Sequence, residues 1–248
     1  MLSMLMEFAG DDAVFGHFGA NGGYALAARR AMHEYGTGPQ TWKHIAVAQR
    51  AWANLNPQAM MHHRPMTSED YLSSRMVVEP LRLPDNCLIT DGGRAVIITT
   101  LERALDLRHR PAVILGLGQH NPSVQVTQSG RLTGSTGAAK ACEMAFSRAG
   151  ITRDDVNACE IYDCFTYTVE VTLQDYGFFA PGEGEDWFSG GTTAPGGRMP
   201  VNTSGGQLSE AYYMGLTPLS EAAMQIMGRC AERQLGPATK TTEPNIIL

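Results

Sequence analysis

Two continuous runs of aliphatic residues interrupt a chain whose other apolar residues mostly recur at helical spacing. The first run is Ala95–Thr100 (AVIITT) and the second is Pro111–Gly118 (PAVILGLG). Runs without alternation are typical of strands buried on both faces, as in parallel sheets covered by helices. We also predict a strand at Ala158–Tyr162, and Asn245–Leu248 begins another. The pattern predicts an α/β fold with a mostly parallel central sheet flanked by helices.

The chain before the first run has a helical pattern. Apolar residues recur every three to four positions from Tyr24 to Tyr35, and Gly36 follows as a natural helix end. A second helix is expected from Thr41 onward, ended by Asn56-Pro57. We therefore expect Met1–Leu72 to pack as a helical cap outside the sheet.

Composition excludes several classes of protein. Among 248 residues, 19 Lys and Arg stand against 25 Asp and Glu, and this net charge of −6 argues against a nucleic-acid binder. Charged residues make up 18% of the chain, below the usual value of about 25%, which indicates surface buried against another subunit. Five cysteines without a CxxC pair favour neither disulfides nor a zinc site. The absence of an 18-residue apolar run and of a signal-peptide pattern predicts a cytoplasmic protein with no membrane span.

Reactive side chains follow the predicted strand at Ala158–Tyr162. The motif is EIYDCFT, from Glu160 to Thr166, at a strand-to-helix junction. Ligands of α/β sheets bind outside the carboxyl ends of strands, so Tyr162, Asp163 and Cys164 are well placed. Asp163 would serve equally as a plain helix cap. Cys164 is more typical of a small buried side chain than of a nucleophile.

A second motif, NTSGGQLSEAYYMG, runs from Asn202 to Gly215. Its Ser204-Gly205-Gly206 loop lets a ligand approach backbone N–H groups. Tyr212 and Tyr213 follow, and one of two adjacent tyrosines usually packs in the core. His62-His63 lacks a carboxylate or cysteine partner at suitable spacing, so no metal site is predicted.

Together the two motifs resemble the thiolase superfamily, most closely its sterol-carrier-protein-type branch. EIYDCFT stands where that branch has HDCF, and NTSGG stands where it has NPSGG. The resemblance runs over nearly the whole chain and implies a thiolase-like fold. It implies that residues 1–108 hold a helical loop region plus the last strand of the N-terminal thiolase half, and that 109–248 hold the C-terminal half, incomplete at its end. The family's nucleophilic Cys motif is expected to precede the matched segment.

Two departures from thiolases carry the functional prediction. Tyr162 stands where thiolases have His or Asn, and Tyr212 stands where they have the His of a GHP motif. A phenol, with an ordinary pKa of about 10, is poorly suited to activating a nucleophilic Cys at neutral pH. The two tyrosines are similar to those of the thiolase-like steroid side-chain aldolases, a group of lipid-transfer-type proteins of bacterial sterol degradation.

This resemblance implies retro-aldol cleavage of a 17-hydroxy steroid acyl-CoA into a 17-keto steroid and propionyl-CoA. It implies that Tyr162 and Tyr212 are catalytic, with their hydroxyls within one substrate's reach of each other. The substrate-binding residues it implies are Asp163, Ser204, Gly205, Gly206 and Tyr213. It also implies a homodimer joined to a small zinc-ribbon/OB-fold partner. It implies no cofactor and no metal in this chain, because CoA is part of the substrate.

Two alternatives remain at this point. One is a thiolase or acyl-CoA acyltransferase whose Cys lies in another segment or on another chain. The other is a non-catalytic subunit of a thiolase-like complex. The pair of tyrosines favours the aldolase over the thiolase, which requires His at the second position.

Overall fold

The computed structural model describes Val14 and residues 19–123, 136–236 and 246–248. The α-helices are α1 (Gly19–Tyr35), α2 (Pro39–Asn54), α3 (Ser68–Ser73), α4 (Leu101–Leu105), α5 (Gly137–Ala149), α6 (Thr166–Asp175), α7 (Gly184–Phe188), α8 (Gly206–Ser209) and α9 (Leu216–Ile226). Short 3-10 helices lie at Leu83–Asp85, Arg153–Asp155, Ser189–Gly191 and Ala231–Arg233. Strand β1 (Met76–Val78) pairs antiparallel with β2 (Leu81–Arg82).

The helix α1 ends where the sequence predicts. Gly36 adopts φ +73°, and its N–H donates to the Met32 carbonyl at 3.1 Å. Glycine takes up this left-handed backbone without the steric cost of a β-carbon, which makes it a common residue just after a helix. The helix α2 begins at Pro39, two residues before the predicted start at Thr41, because proline is favoured in the first helical turn.

The described N-terminal helices contribute large side chains to the core, and the expectation that Met1–Leu72 caps the sheet from outside stays a prediction. Trp42 of α2 is fully buried, and its Nε1–H donates to Glu170 Oε2 of α6 at 2.7 Å. Trp52 is also buried, and its Nε1–H donates to the Thr193 carbonyl at 2.8 Å. A large apolar ring with one satisfied polar atom stabilises a core strongly. Helix α2 is therefore a central element; residues 1–13 and 15–18 of the predicted cap lie outside the described residues.

A short set of parallel segments runs beneath α2. Ala158 bridges in parallel to Ile247, and Cys159 bridges in parallel to Val201. On one side the Cys159 N–H donates to the Pro200 carbonyl at 3.0 Å; on the other, the Glu160 N–H donates to the Leu248 carbonyl at 2.7 Å. Ala158, Cys159 and Ile161 are buried and Glu160 is partly buried, whereas 39% of the Tyr162 surface is exposed. The predicted strand at Ala158–Tyr162 is therefore present only as the two isolated bridges at Ala158 and Cys159.

The other two predicted strands, Ala95–Thr100 and Pro111–Gly118, are not buried strands. Both segments lack strand pairing, and Ile97, Ile98 and Ile114 are 93%, 76% and 67% exposed. An aliphatic run becomes a strand only when a neighbouring strand accepts and donates its backbone hydrogen bonds. Within the described part of the chain no strand lies beside either segment. The predicted division of the chain into residues 1–108 and 109–248 stays a prediction.

Candidate active site

Tyr162 is held at the end of a buried segment. The Ile161 N–H donates to Asn202 Oδ1 at 2.7 Å, which ties this segment to the second motif. After Tyr162 the chain turns into α6, and the Thr168 hydroxyl donates to the Tyr162 carbonyl at 3.3 Å. The backbone on both sides of Tyr162 is therefore anchored, while its ring reaches the surface.

Tyr212 lies three residues after the end of α8. Its backbone N–H donates to the Thr90 hydroxyl at 2.9 Å, and the same hydroxyl donates to the Tyr212 carbonyl at 3.0 Å. The ring is half-buried. The N–H and the carbonyl of Tyr212 therefore both bond to one side chain from a distant segment.

The structure brings the two tyrosines together. The Tyr162 and Tyr212 hydroxyls lie 2.9 Å apart although 50 positions separate the residues, and either oxygen can donate to the other. Their ring centroids are 6.4 Å apart, with planes at 65°. The distance meets the expectation that the two hydroxyls lie within one substrate's reach of each other, whereas their catalytic roles stay a prediction.

The surroundings of Tyr162 favour its neutral phenol. Burial raises the pKa of Tyr162 well above its ordinary value, and the hydrogen bond with Tyr212 raises it further. Tyr24 of α1 adds a third phenol nearby, and burial likewise raises its pKa, reinforced by the neighbouring Cys164 thiol. A protonated phenol donates one hydrogen bond and accepts others. Tyr162 is therefore protonated at neutral pH and can donate a hydrogen bond.

The thiols near the pair are not activated. Burial raises the pKa of Cys164 to about 12 and that of Cys87 to about 11. Cys164 is 8% exposed, with its Sγ 3.9 Å from the Thr168 hydroxyl. Thiolate is the nucleophilic form of cysteine, so neither residue resembles an activated nucleophile.

Asp163 is fully buried beneath the pair. Its Oδ1 accepts the Gln207 N–H at 3.0 Å, and its Oδ2 accepts the Leu208 N–H at 3.3 Å. Burial raises the pKa of its carboxyl to about 7, against the opposing effect of these hydrogen bonds. The structure thus gives Asp163 a role in joining the two motifs, and its contact with substrate stays a prediction.

The Ser204-Gly205-Gly206 loop is also buried. A β-carbon on Gly205 would lie 2.6 Å from the Ala53 β-carbon of α2, so glycine is required for packing there. The Gly205 N–H donates to the Asn202 carbonyl at 2.9 Å and the Gly206 N–H to the Ser204 hydroxyl at 3.3 Å. Both N–H groups therefore donate within the loop region itself, and ligand contact by the loop stays a prediction.

Tyr213 points to a different environment from Tyr212. Its backbone N–H donates to the Thr217 hydroxyl at 3.0 Å, and the Arg94 guanidinium lies over its ring, 5.4 Å from the centroid. Arg94 also forms an ion pair with the buried Glu210. Tyr213 is half-buried, and its contact with substrate stays a prediction.

Sequence reasoning missed Thr90 and Tyr24. Thr90 precedes the DGG turn, and only a three-dimensional contact reveals its partner, so the sequence gives no signal for it. The spacing predicts that Tyr24 lies on a helix face. Its ring does pack against Phe165, with the two ring centroids 4.7 Å apart. The amphipathic pattern could not show that its hydroxyl end lies near the site.

Among the described residues, no three His, Cys, Asp or Glu side chains are grouped so as to hold a metal ion. Likewise, no helix in this part of the chain has both the length and the apolar character needed to cross a bilayer.

Comparison with known proteins identifies relatives of this chain. A steroid side-chain-cleaving aldolase of Thermomonospora curvata is 39% identical over 208 residues, which are 82% of this chain and 53% of that protein. The 17-hydroxy-3-oxo-4-pregnene-20-carboxyl-CoA lyase of Mycobacterium tuberculosis is 37% identical over 208 residues, 82% of this chain and 54% of that protein. The chain therefore spans about half the length of the curated relatives it matches.

Solved structures show the same fold. The Ltp2-ChsH2(DUF35) aldolase superimposes with a TM-score of 0.81 at 37% identity, over 86% of this chain and 57% of that one. A monomeric SCP2-thiolase like protein from Mycobacterium smegmatis, at 18% identity and a TM-score of 0.57 over 84% of this chain and 46% of that one, shares the fold alone. The family model described as thiolase C-terminal domain-like matches residues 118–243. The chain belongs to the thiolase superfamily, and its fold is thiolase-like.

Proposed function

We propose that this chain carries the catalytic tyrosines of a retro-aldolase acting on a 17-hydroxy steroid acyl-CoA. The products are a 17-keto steroid and propionyl-CoA. The observation that carries the proposal is the 2.9 Å contact between the Tyr162 and Tyr212 hydroxyls, in a setting without an activated thiol. The aldolase and lyase names of two relatives support the same reaction class.

The reaction needs one proton removed and one delivered. The steroid hydroxyl loses its proton as the bond between its carbon and the α-carbon of the thioester breaks. The electron pair of that bond passes to the thioester as an enolate, and the oxygen left behind becomes the ketone. A proton then adds to the enolate carbon, so the overall proton count is unchanged.

Two hydrogen-bonded phenols can perform this exchange as a relay. In the proposed order, the Tyr212 oxygen accepts the substrate proton while its own proton passes to the Tyr162 oxygen. Tyr162 delivers its proton to the enolate carbon, in keeping with the raised pKa that keeps this phenol protonated. Neither tyrosine then has to exist as a free phenolate. Deprotonating a phenol of ordinary pKa at pH 7 costs about 4 kcal/mol of free energy.

An acyl-CoA acyltransferase is the second candidate, and a non-catalytic subunit is the third. The acyltransferase requires a cysteine thiolate supplied from outside the described residues, because burial keeps Cys164 and Cys87 protonated. A non-catalytic subunit would not require two phenolic hydroxyls in contact at a partly exposed position. The observed pair therefore favours the aldolase.

We further propose that the protein works as a cytoplasmic homodimer with a small zinc-ribbon/OB-fold partner. The low charge content supports buried surface between subunits. The solved structure with a TM-score of 0.81 is of an aldolase described with a second component, ChsH2(DUF35). No cofactor beyond the CoA of the substrate is proposed.

Light scattering at micromolar concentration tests the proposed dimer, and a monomeric mass would contradict it.

The decisive experiment supplies the 17-hydroxy steroid acyl-CoA to the protein in its native complex. Mass spectrometry should detect equal amounts of propionyl-CoA and 17-keto steroid. A matched substrate lacking the 17-hydroxyl should give neither product, because there is no proton to remove and no ketone to form. Transfer of an acyl group between CoA thioesters, without ketone formation, would instead establish the acyltransferase.

A further inference from the structure

The position of Tyr212 depends on contacts from outside its own motif. Helix α8 ends at Ser209, so Tyr212 lies beyond the helical hydrogen bonds. Within the described part of the chain, both its backbone N–H and its carbonyl find their partner in one side chain, the Thr90 hydroxyl. The two distances are 2.9 and 3.0 Å, close to ideal.

We propose that Thr90 is the positioning residue of Tyr212, setting the Tyr212 hydroxyl against that of Tyr162. This inference rests on the proposed function for its catalytic consequence. A hydroxyl suits the task because it accepts one hydrogen bond and donates another from a single atom. Thr90 thereby fixes the Tyr212 backbone as a neighbouring strand would fix it.

Thr90 is itself placed by backbone contacts to both motifs. The Cys87 N–H donates to the Cys164 carbonyl at 3.0 Å, in the motif that carries Tyr162. The Leu88 N–H donates to the Gln207 carbonyl at 2.9 Å, in the motif that carries Tyr212. The segment from Cys87 to Thr90 therefore spans both catalytic motifs and sets the distance between them.

The same segment continues along the Tyr212 loop. A β-carbon at Gly92 would lie 2.7 Å from the Tyr213 hydroxyl, so the backbone passes directly over that ring. Arg94 then reaches the Tyr213 ring and pairs with Glu210. These contacts hold the residues on either side of Tyr212, while Thr90 holds Tyr212 itself.

The test separates positioning from general stability. Thr90→Val keeps the shape of the side chain and removes both hydrogen bonds, whereas Thr90→Ser keeps the hydroxyl. Thr152→Val is a matched control, because it removes an exposed threonine hydroxyl that bonds Asp155 at 2.9 Å. A displacement of about 1 Å in a catalytic group costs about 100-fold in rate. We expect Thr90→Val to lose about that much kcat with little change in KM, and Thr90→Ser and Thr152→Val to keep near-normal kcat.

A second readout does not depend on turnover. With tyrosines labelled at the ring carbon that bears the hydroxyl, NMR reports the hydrogen-bonded state of each phenol. The chain has eight tyrosines, so the Tyr162→Phe and Tyr212→Phe variants assign the two resonances. Thr90→Val should shift both resonances, and Thr90→Ser should restore them. If Thr90→Val does not fold, Thr90→Cys gives the same test with a weaker donor and acceptor.

The outcomes distinguish the two proposals. Unshifted resonances in Thr90→Val would overturn the positioning role, whatever happens to kcat. Shifted resonances in a protein whose wild type releases no propionyl-CoA would support the positioning role and overturn the proposed lyase activity.

Discussion

The carboxyl group of Asp163 occupies the space in which a side chain at Gly206 would begin. A β-carbon on Gly206 would lie 2.9 Å from Asp163 Cγ, and Gly206 adopts φ +61°. Asp163 directly follows Tyr162, and Gly206 opens the helix α8 that precedes Tyr212. The contact between Asp163 and Gly206 therefore sets how closely the two tyrosine-bearing segments approach.

Gly206→Ala should destabilise the protein. The new β-carbon must displace a buried carboxyl group, and the left-handed backbone is strained for any residue but glycine. We expect a loss of about 1–3 kcal/mol in the free energy of unfolding, measured by denaturant titration. Lyase turnover should fall as well, because the two segments are pushed apart.

Gly215→Ala is the matched control for that variant. Gly215 adopts φ −62°, and a β-carbon there would meet no atom within 4 Å. The free energy of unfolding should change by no more than about 0.5 kcal/mol. Equal stability of the two alanine variants would show that Asp163 moves aside without cost.

Asp163 should give stability a recognisable pH dependence. Burial raises the pKa of its carboxyl to about 7, above the value of about 3.9 expected in the unfolded chain. Below about pH 4 both states are protonated, and the contribution of the group to stability is fully present. Between about pH 4 and pH 7 the unfolded state loses the proton that the folded state keeps. The contribution therefore falls, by up to about 1.4 kcal/mol per pH unit, and is level above pH 7.

Asp163→Asn isolates this effect, because an amide does not ionise. Urea denaturation of both proteins at pH 4, 5, 6, 7 and 8 gives the difference in free energy of unfolding. The wild type should lose stability relative to the variant from pH 4 to pH 7 and not beyond. Two parallel curves over that range would rule out a raised pKa for Asp163.

Cys164→Ser tests whether a thiol takes part in the chemistry. With a pKa raised to about 12 by burial, the Cys164 thiol is protonated at neutral pH. We expect kcat per folded molecule to stay within about threefold of the wild type, since no catalytic group is removed. Cys164→Ala controls for the added hydroxyl. Loss of all turnover in both variants would point to covalent thiolase chemistry instead.

The sequence predicts the site better than it predicts the sheet. Tyr162 follows a segment whose partners, Val201 and Ile247, belong to the same chain, so the local pattern and the observed pairing agree. The runs Ala95–Thr100 and Pro111–Gly118 are more continuously apolar than that segment, yet they have no strand beside them within the described residues. An apolar sequence pattern indicates the propensity of a segment to form a strand. A strand also needs a neighbouring strand to which its backbone can hydrogen-bond.

Within the site, the sequence predicts the catalytic candidates and not their supports. Tyr162 and Tyr212 are predicted as candidates because tyrosine stands where thiolases have histidine or asparagine. Thr90 and the packing role of Gly205 are not predicted, because each depends on a contact with a segment distant in sequence. The sequence around a threonine or a glycine does not indicate a contact of this kind.

Tyr162→Phe and Tyr212→Phe should each abolish most of the turnover while leaving the fold intact. Each change keeps the ring and removes only the hydroxyl that joins the pair at 2.9 Å. A general acid or base typically contributes about 10²–10⁴-fold, so each variant should lose about that factor in propionyl-CoA release. Because a relay fails when either member is missing, the double variant should be little slower than each single variant. Tyr213→Phe is the control, since its ring packs under Arg94 and its loss of a hydroxyl should be mild. Near-normal release from both single variants would leave the aldolase without a proton path.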